Sequence, residues 1–170
     1  DELSKENHDS LFEKLDLCVN RTIELYGGER IEGDRDTISF FTKSTTKSKQ
    51  HILISLMAAH TLHEVVHQLS RSMGVNLVLS WSIHNDWLPL MPLFKFHESI
   101  QNFKVLSKNS ASKTEQDKIV LTTDQFNFDE LAAIARFKEL HANTYLLEGF
   151  NEQRQIILQK QIKHLCNVCF

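Results

Sequence analysis

The sequence predicts one mixed α/β sandwich, with long helices packed on one side of a mainly antiparallel sheet. Two long segments, residues 8–26 and 52–73, carry apolar side chains every three or four positions, the repeat of an amphipathic helix. Short runs rich in β-branched and aromatic residues alternate with them and are bounded by glycine or polar turns. With 170 residues, 41% of them hydrophobic and 24% charged, the chain is long enough for one good core and too short to suggest two. Helices and strands alternating around a single core give the layered α/β architecture.

In the first helical segment the stripe is Leu11, Phe12, Leu15, Val19, Ile23 and Tyr26. Gly27 and Gly28 then stop it, because glycine supplies the left-handed conformation that closes helices. Residues 29–41 read as two strands joined near Gly33 and Asp34, the second marked by Thr37, Ile38, Phe40 and Phe41. After a polar connector, the second long helix repeats Ile52, Leu56, Ala59, Leu62, Val66, Leu69 and Met73, and Gly74 ends it. Val75, Leu77, Leu79, Trp81 and Ile83 alternate with polar residues, as a half-buried strand does.

Residues 87–93 contain Pro89 and Pro92, which lack a backbone donor, so this apolar stretch reads as a loop. Ile100, Phe103 and Leu106 suggest a third helix, and residues 107–117 a polar loop. A short strand over 118–123, a helix over 128–137 and a last strand over 141–147 complete residues 1–150. Residues 151–170 read as a helical extension with Ile156, Ile157, Ile162 and Leu165.

A net charge of −3 argues against nucleic acid or anionic lipid as the obligate partner, since both demand clustered cations. No run is long enough to cross a bilayer. The chain opens on Asp1 rather than Met, which suggests a piece of something longer and leaves room for a membrane segment upstream. Three cysteines, Cys18, Cys166 and Cys169, do not make a secreted disulfide framework and fit a reducing compartment. The terminal Cys-Asn-Val-Cys resembles half a zinc site, but no second pair exists to complete it, and exposed or partly packed thiols are the simpler reading. Cys18, between Leu17 and Val19, reads as an inert packed thiol.

The glycine turn at Gly27 and Gly28, the hairpin ending Glu32-Gly33-Asp34, the helix rich in Ala, His and Leu, and the run from Gly74 to His84 resemble the catalytic domain of class III nucleotidyl cyclases. Lys118 to Thr122 and Tyr145 to Glu148 are similar to that family's late strands. The resemblance spans roughly residues 10–150 and implies a ferredoxin-like sandwich, with the first strand of the family apparently missing. In those enzymes two aspartates, one on the first strand and one at the hairpin tip, hold metal ions on the nucleotide. Asp34 matches the second and is vestigial without its partner. Arg30 stands where the family reads the purine. Asn102 matches the family's ribose-contacting Asn, but Leu106 replaces the arginine that stabilises transition-state charge. The resemblance therefore implies a cyclase-like shape without the chemistry, and association with a second copy or another protein.

A rival motif is His63-Glu-Val-Val-His67. On a helix His63 and His67 lie one turn apart and could share a zinc ion, with Glu64 as general base and Glu98 as the third ligand. His60 falls on the same side. The bland reading is a set of half-buried imidazoles on a helix otherwise spent on apolar contacts. His84 and Asp86 form a weaker polar pair at a strand end. No glycine-rich phosphate loop is present, and residual cyclase activity is the remaining alternative.

The expectation is thus a non-catalytic signalling or interaction domain, the cytoplasmic part of a larger bacterial protein, possessing neither cofactor nor nucleic-acid partner. Its contact surface is expected at the apolar Trp87, Leu88, Leu90, Met91, Leu93 and Phe94.

Overall fold

A computed structural model describes residues 5–31, 37–42, 49–74, 80–85, 93–97, 118–123 and 126–170. The architecture is mixed α+β. Helix α1 spans Lys5–Leu25, strand β1 Gly28–Ile31, strand β2 Thr37–Thr42 and helix α2 Lys49–Ser72. Strands β3 (Ser80–Asn85), β4 (Leu93–His97) and β5 (Ile119–Thr123) follow. A short helix α3 (Phe128–Ala132), a hairpin of β6 (Arg136–His141) and β7 (Thr144–Gly149), and helix α4 (Glu152–Cys169) complete the order.

Both long helices end as their glycines require. Gly27 has φ +68 and Gly74 has φ +65, and their amides return to the carbonyls of Glu24 and Arg71. A Cβ is disfavoured in that left-handed region, so the stop signals read from sequence are physical ones.

Among the described residues seven strands form one sheet in the order β1-β2-β4-β3-β5-β7-β6. Every pairing is antiparallel except β3 with β5. Because β2 and β3 are each antiparallel to β4, they run parallel to one another. Helix α2 connects them, so β2-α2-β3 is a crossover unit split by β4.

The core is shared by three helices and the sheet. Leu11, Leu15, Val19 and Ile23 of α1 meet Leu56, Ala59, Leu62, Val66 and Leu69 of α2, all buried. Leu158, Ile162 and Leu165 of α4 are buried in the same cluster, so residues 151–170 share the core of the rest. In β5 burial alternates, with Ile119, Leu121 and Thr123 inside.

Three expectations need correction. The helix predicted over 128–137 stops at Ala132. Asn127 starts it with a reciprocal cap to Glu130, but the amides of Ile134 and Ala135 both fold back on the Leu131 carbonyl, which closes the turn. Arg136–His141 is then a strand that buries Phe137 between exposed Arg136 and Lys138, a period of two that the helical reading overrode. The last strand begins at Thr144, after a turn in which Asn143 takes φ +62, a conformation asparagine tolerates.

The third correction concerns Leu93 and Phe94, read as part of a loop. They open β4, an interior strand in which Phe94 pairs with Phe40 on one side and Ile83 on the other. Pro89 and Pro92, which argued for the loop, lie outside the described residues. The described part of the strand predicted over 75–83 is Ser80–Asn85. The predicted third helix and the loop at 107–117 lie outside the described residues.

Candidate functional site

Helix α2 turns its apolar stripe to the core and leaves His60, His63, Glu64 and His67, three and four apart, on a half-buried stripe of its own. His60 is held edge-on to Phe150, with ring centroids 5.4 Å apart, and its Nε2 lies 3.4 Å from the Gln155 amide nitrogen of α4. His63 Nδ1 approaches Glu64 Oε1 at 3.5 Å, and the rings of His63 and His67 meet edge to face at 4.6 Å.

These contacts set the local electrostatics. Its hydrogen bond with His63 holds the Glu64 carboxyl below the usual range, against the opposing effect of burial. Burial pushes the His60 imidazole below its ordinary value, and the Glu64 charge opposes that shift. His60, His63 and Glu64 form one wall of a cleft of about 520 Å³, completed by residues including Lys118, Lys138, Leu146 and Glu148. Chemically the cleft offers imidazoles and carboxylates able to exchange protons with a polar ligand. Among the described residues no group of three His, Cys, Asp or Glu side chains is placed to hold a metal ion. Glu98, the third zinc ligand expected, lies outside the described residues.

The remaining predicted site residues divide in two. Asp34, Asp86, Trp87, Leu88, Leu90, Met91, Asn102 and Leu106 lie outside the described residues. Arg30 sits in β1 opposite Phe40, and His84 sits in β3 between Leu93 of β4 and Thr122 of β5.

A second cluster is formed where α1 meets α4. The Cys18 and Cys169 thiols lie close enough to perturb one another, while the Cys166 thiol donates to Gln68 Oε1 of α2 at 3.2 Å. Tyr26 bonds Gln161 at the other end of the same seam. Cys18 facing Cys169 and Tyr26 facing Gln161 make α1 and α4 antiparallel.

Along that seam the helices leave large apolar side chains in solvent: Leu17 and Leu25 on α1, Ile157, Val168 and the terminal Phe170 on α4. Leu17, Arg21 and Leu25 are spaced by four on α1, and Ile157, Gln161, His164 and Val168 by four, three and four on α4. Gln161 touches α1 through Tyr26, and Arg21 is near enough to Cys169 to lower its thiol, so each row holds one residue at the seam. Sequence reasoning assigned Ile157 to the extension without seeing this row. Its spacing was the available signal.

Compared with known proteins, the chain matches no family model, no curated protein and no solved structure. Among the described residues no helix is long and apolar enough to cross a membrane.

Proposed function

We propose that this chain is a non-catalytic association module that pairs with a second copy of itself through the α1–α4 face. The carrying observation is the double row of exposed apolar side chains beside one helix seam. Leu25 is 44% exposed, Ile157 52% and Val168 45%, although the same helices bury a continuous stripe on their other side. Scattered exposed leucines need no explanation, but two adjacent rows on antiparallel helices form a patch of the kind that marks a contact surface.

A second copy suits this face because it carries both signs of charge. Arg21 and Glu24 pair at 3.7 Å on α1 itself, and Lys14 and Glu13 lie one to two turns away. A two-fold interface sets the same patch against itself, so it requires such mixed charge rather than a single sign.

The scaffold reading is a degenerate cyclase-like domain with a ferredoxin-like core. The split β2-α2-β3 unit with an antiparallel strand between its arms is the arrangement that favours it. In that reading β4 occupies the interior place of the missing first strand, which in the family bears a metal aspartate. Here the strand is Leu-Phe-Lys-Phe-His, with no carboxylate.

The setting proposed is the cytoplasmic part of a larger bacterial protein, where three buried free thiols fit a reducing compartment. Measuring the solution mass over a dilution series tests the association. Two chains that separate into single chains on dilution support the reading, and a single chain at every concentration overturns it.

A further inference from the structure

A groove of about 800 Å³ runs along the first half of α4 beside the end of the β6–β7 hairpin, on a different side of α4 from the Ile157 and Val168 row. Its lining includes Arg136, Phe150, Glu152, Ile156, Lys160 and Lys163. Positions 152, 156, 160 and 163 are one stripe of the helix. Phe150 is 2% exposed and gives a fixed apolar floor, whereas Ile156, at 53%, stands open in the groove.

Charge here contradicts the chain as a whole. The protein carries a net −3, yet Arg136, Lys160 and Lys163 face only Glu152 among these side chains, leaving three minus one, a local surplus of two positive charges. The Arg136 guanidinium is also fitted into place. Gly149 lies under it, and a Cβ at that position would come within 2.6 Å of the Arg136 Nη2 atom. A bare backbone at 149 is what lets the arginine lie against the chain at the edge of the groove.

We propose that this groove docks an acidic amphipathic peptide segment of a partner protein. Carboxylates of the segment pair with Arg136, Lys160 and Lys163, and an apolar side chain enters over Phe150 beside Ile156. Guanidinium and carboxylate match in shape as well as charge, which suits Arg136 to the anchoring bond. A surplus of two positive charges falls short of the cluster of about four or more that holds an anionic lipid surface, which favours a peptide. The site is independent of the α1–α4 pairing, so a dimer can hold two such segments.

The test measures fluorescence anisotropy of a labelled short peptide of Glu, Asp, Leu and Phe against the full chain, with its Gln/Asn counterpart and with phosphatidylserine vesicles as comparisons. The acidic peptide is expected to bind, to weaken as salt rises, and to lose about tenfold in affinity in the Lys160→Glu/Lys163→Glu double variant. Gly149→Ala, which displaces the arginine without removing a charge, is expected to weaken binding as well. Thermal unfolding of each variant checks that it is folded. Equal binding of the neutral peptide, preference for the vesicles, or affinity unchanged in the charge-reversed variant overturns the proposal.

Discussion

The Tyr26 hydroxyl donates to Gln161 of α4 and lies 2.8 Å from the Thr61 hydroxyl of α2, so one oxygen at the end of α1 ties all three long helices together. A phenol has a single proton to give. With Gln161 receiving it, Thr61 must be the donor in the second bond.

Tyr26→Phe keeps the ring and removes both bonds, leaving Thr61, which is fully buried, without that acceptor. The expected loss is about 1–3 kcal/mol in urea unfolding, the usual cost of stranding a buried polar group. An unchanged midpoint would show that the hydroxyl contributes nothing.

Leucines separate the core from the contact face. Leu62, in the middle of α2, is completely buried, and Leu62→Ala is expected to cost about 2–5 kcal/mol through lost burial and the cavity left behind. Leu25→Ala, on the exposed row, is expected to change monomer stability by less than about 0.5 kcal/mol. Comparable losses at the two positions in chemical unfolding would contradict the assignment of Leu25 to a solvent face.

Stability should fall in mild acid because of His60. Burial lowers its folded pKa beneath the ordinary 6.5, so below that pH the unfolded chain takes up a proton the folded chain refuses. Stability is therefore complete above the unfolded value and declines as pH drops toward the folded one. The groups around the ring are His63 and Glu64 on α2 and Phe150 and Gln155 at α4, with Lys118, Lys138 and Glu148 elsewhere in the cleft. Glu64→Gln removes the one charge opposing the shift and is expected to steepen the decline, read from unfolding midpoints between about pH 7.5 and 5.5. Glu64 itself, depressed by His63, withdraws its own contribution only at lower pH, as its folded value is passed.

Cys18 is expected to resist alkylation in the folded protein. It is fully buried, and burial together with neighbouring Cys169 and Cys166 pushes its thiol far above the reactive range. Burial also raises Cys166 and Cys169, but these stand in the last turn of α4, where fraying admits reagent. Mass spectrometry after timed iodoacetamide treatment should find Cys166 and Cys169 modified before Cys18. Simultaneous labelling would mean that α1 and α4 part readily.

What was legible in the sequence follows from the strength of each periodic signal. The stripes of α1 and α2 run over several turns and end at glycines forced into the left-handed region, so those helices could be read with little ambiguity. β6 was lost because Phe128, Leu131 and Ile134 continue a helical spacing up to the strand, and only the alternating Arg136, Phe137 and Lys138 oppose it. β4 escapes the sequence reading because the two prolines that precede it discourage a strand, and the five residues Leu93–His97 are too few to show an alternation of their own. The seam between α1 and α4 joins residues far apart in the chain, Cys18 with Cys169 and Tyr26 with Gln161. No local pattern reports such a meeting, so the face beside it emerges only from the fold.

Sedimentation of the native chain and of a Leu25→Glu/Ile157→Glu variant over the same concentration range tests the association most directly. The account predicts a native dimer that dissociates on dilution and a variant that stays a single chain while unfolding at the temperature of the diluted, dissociated native chain. A native chain that never pairs, or a dimer that survives both substitutions, would contradict it.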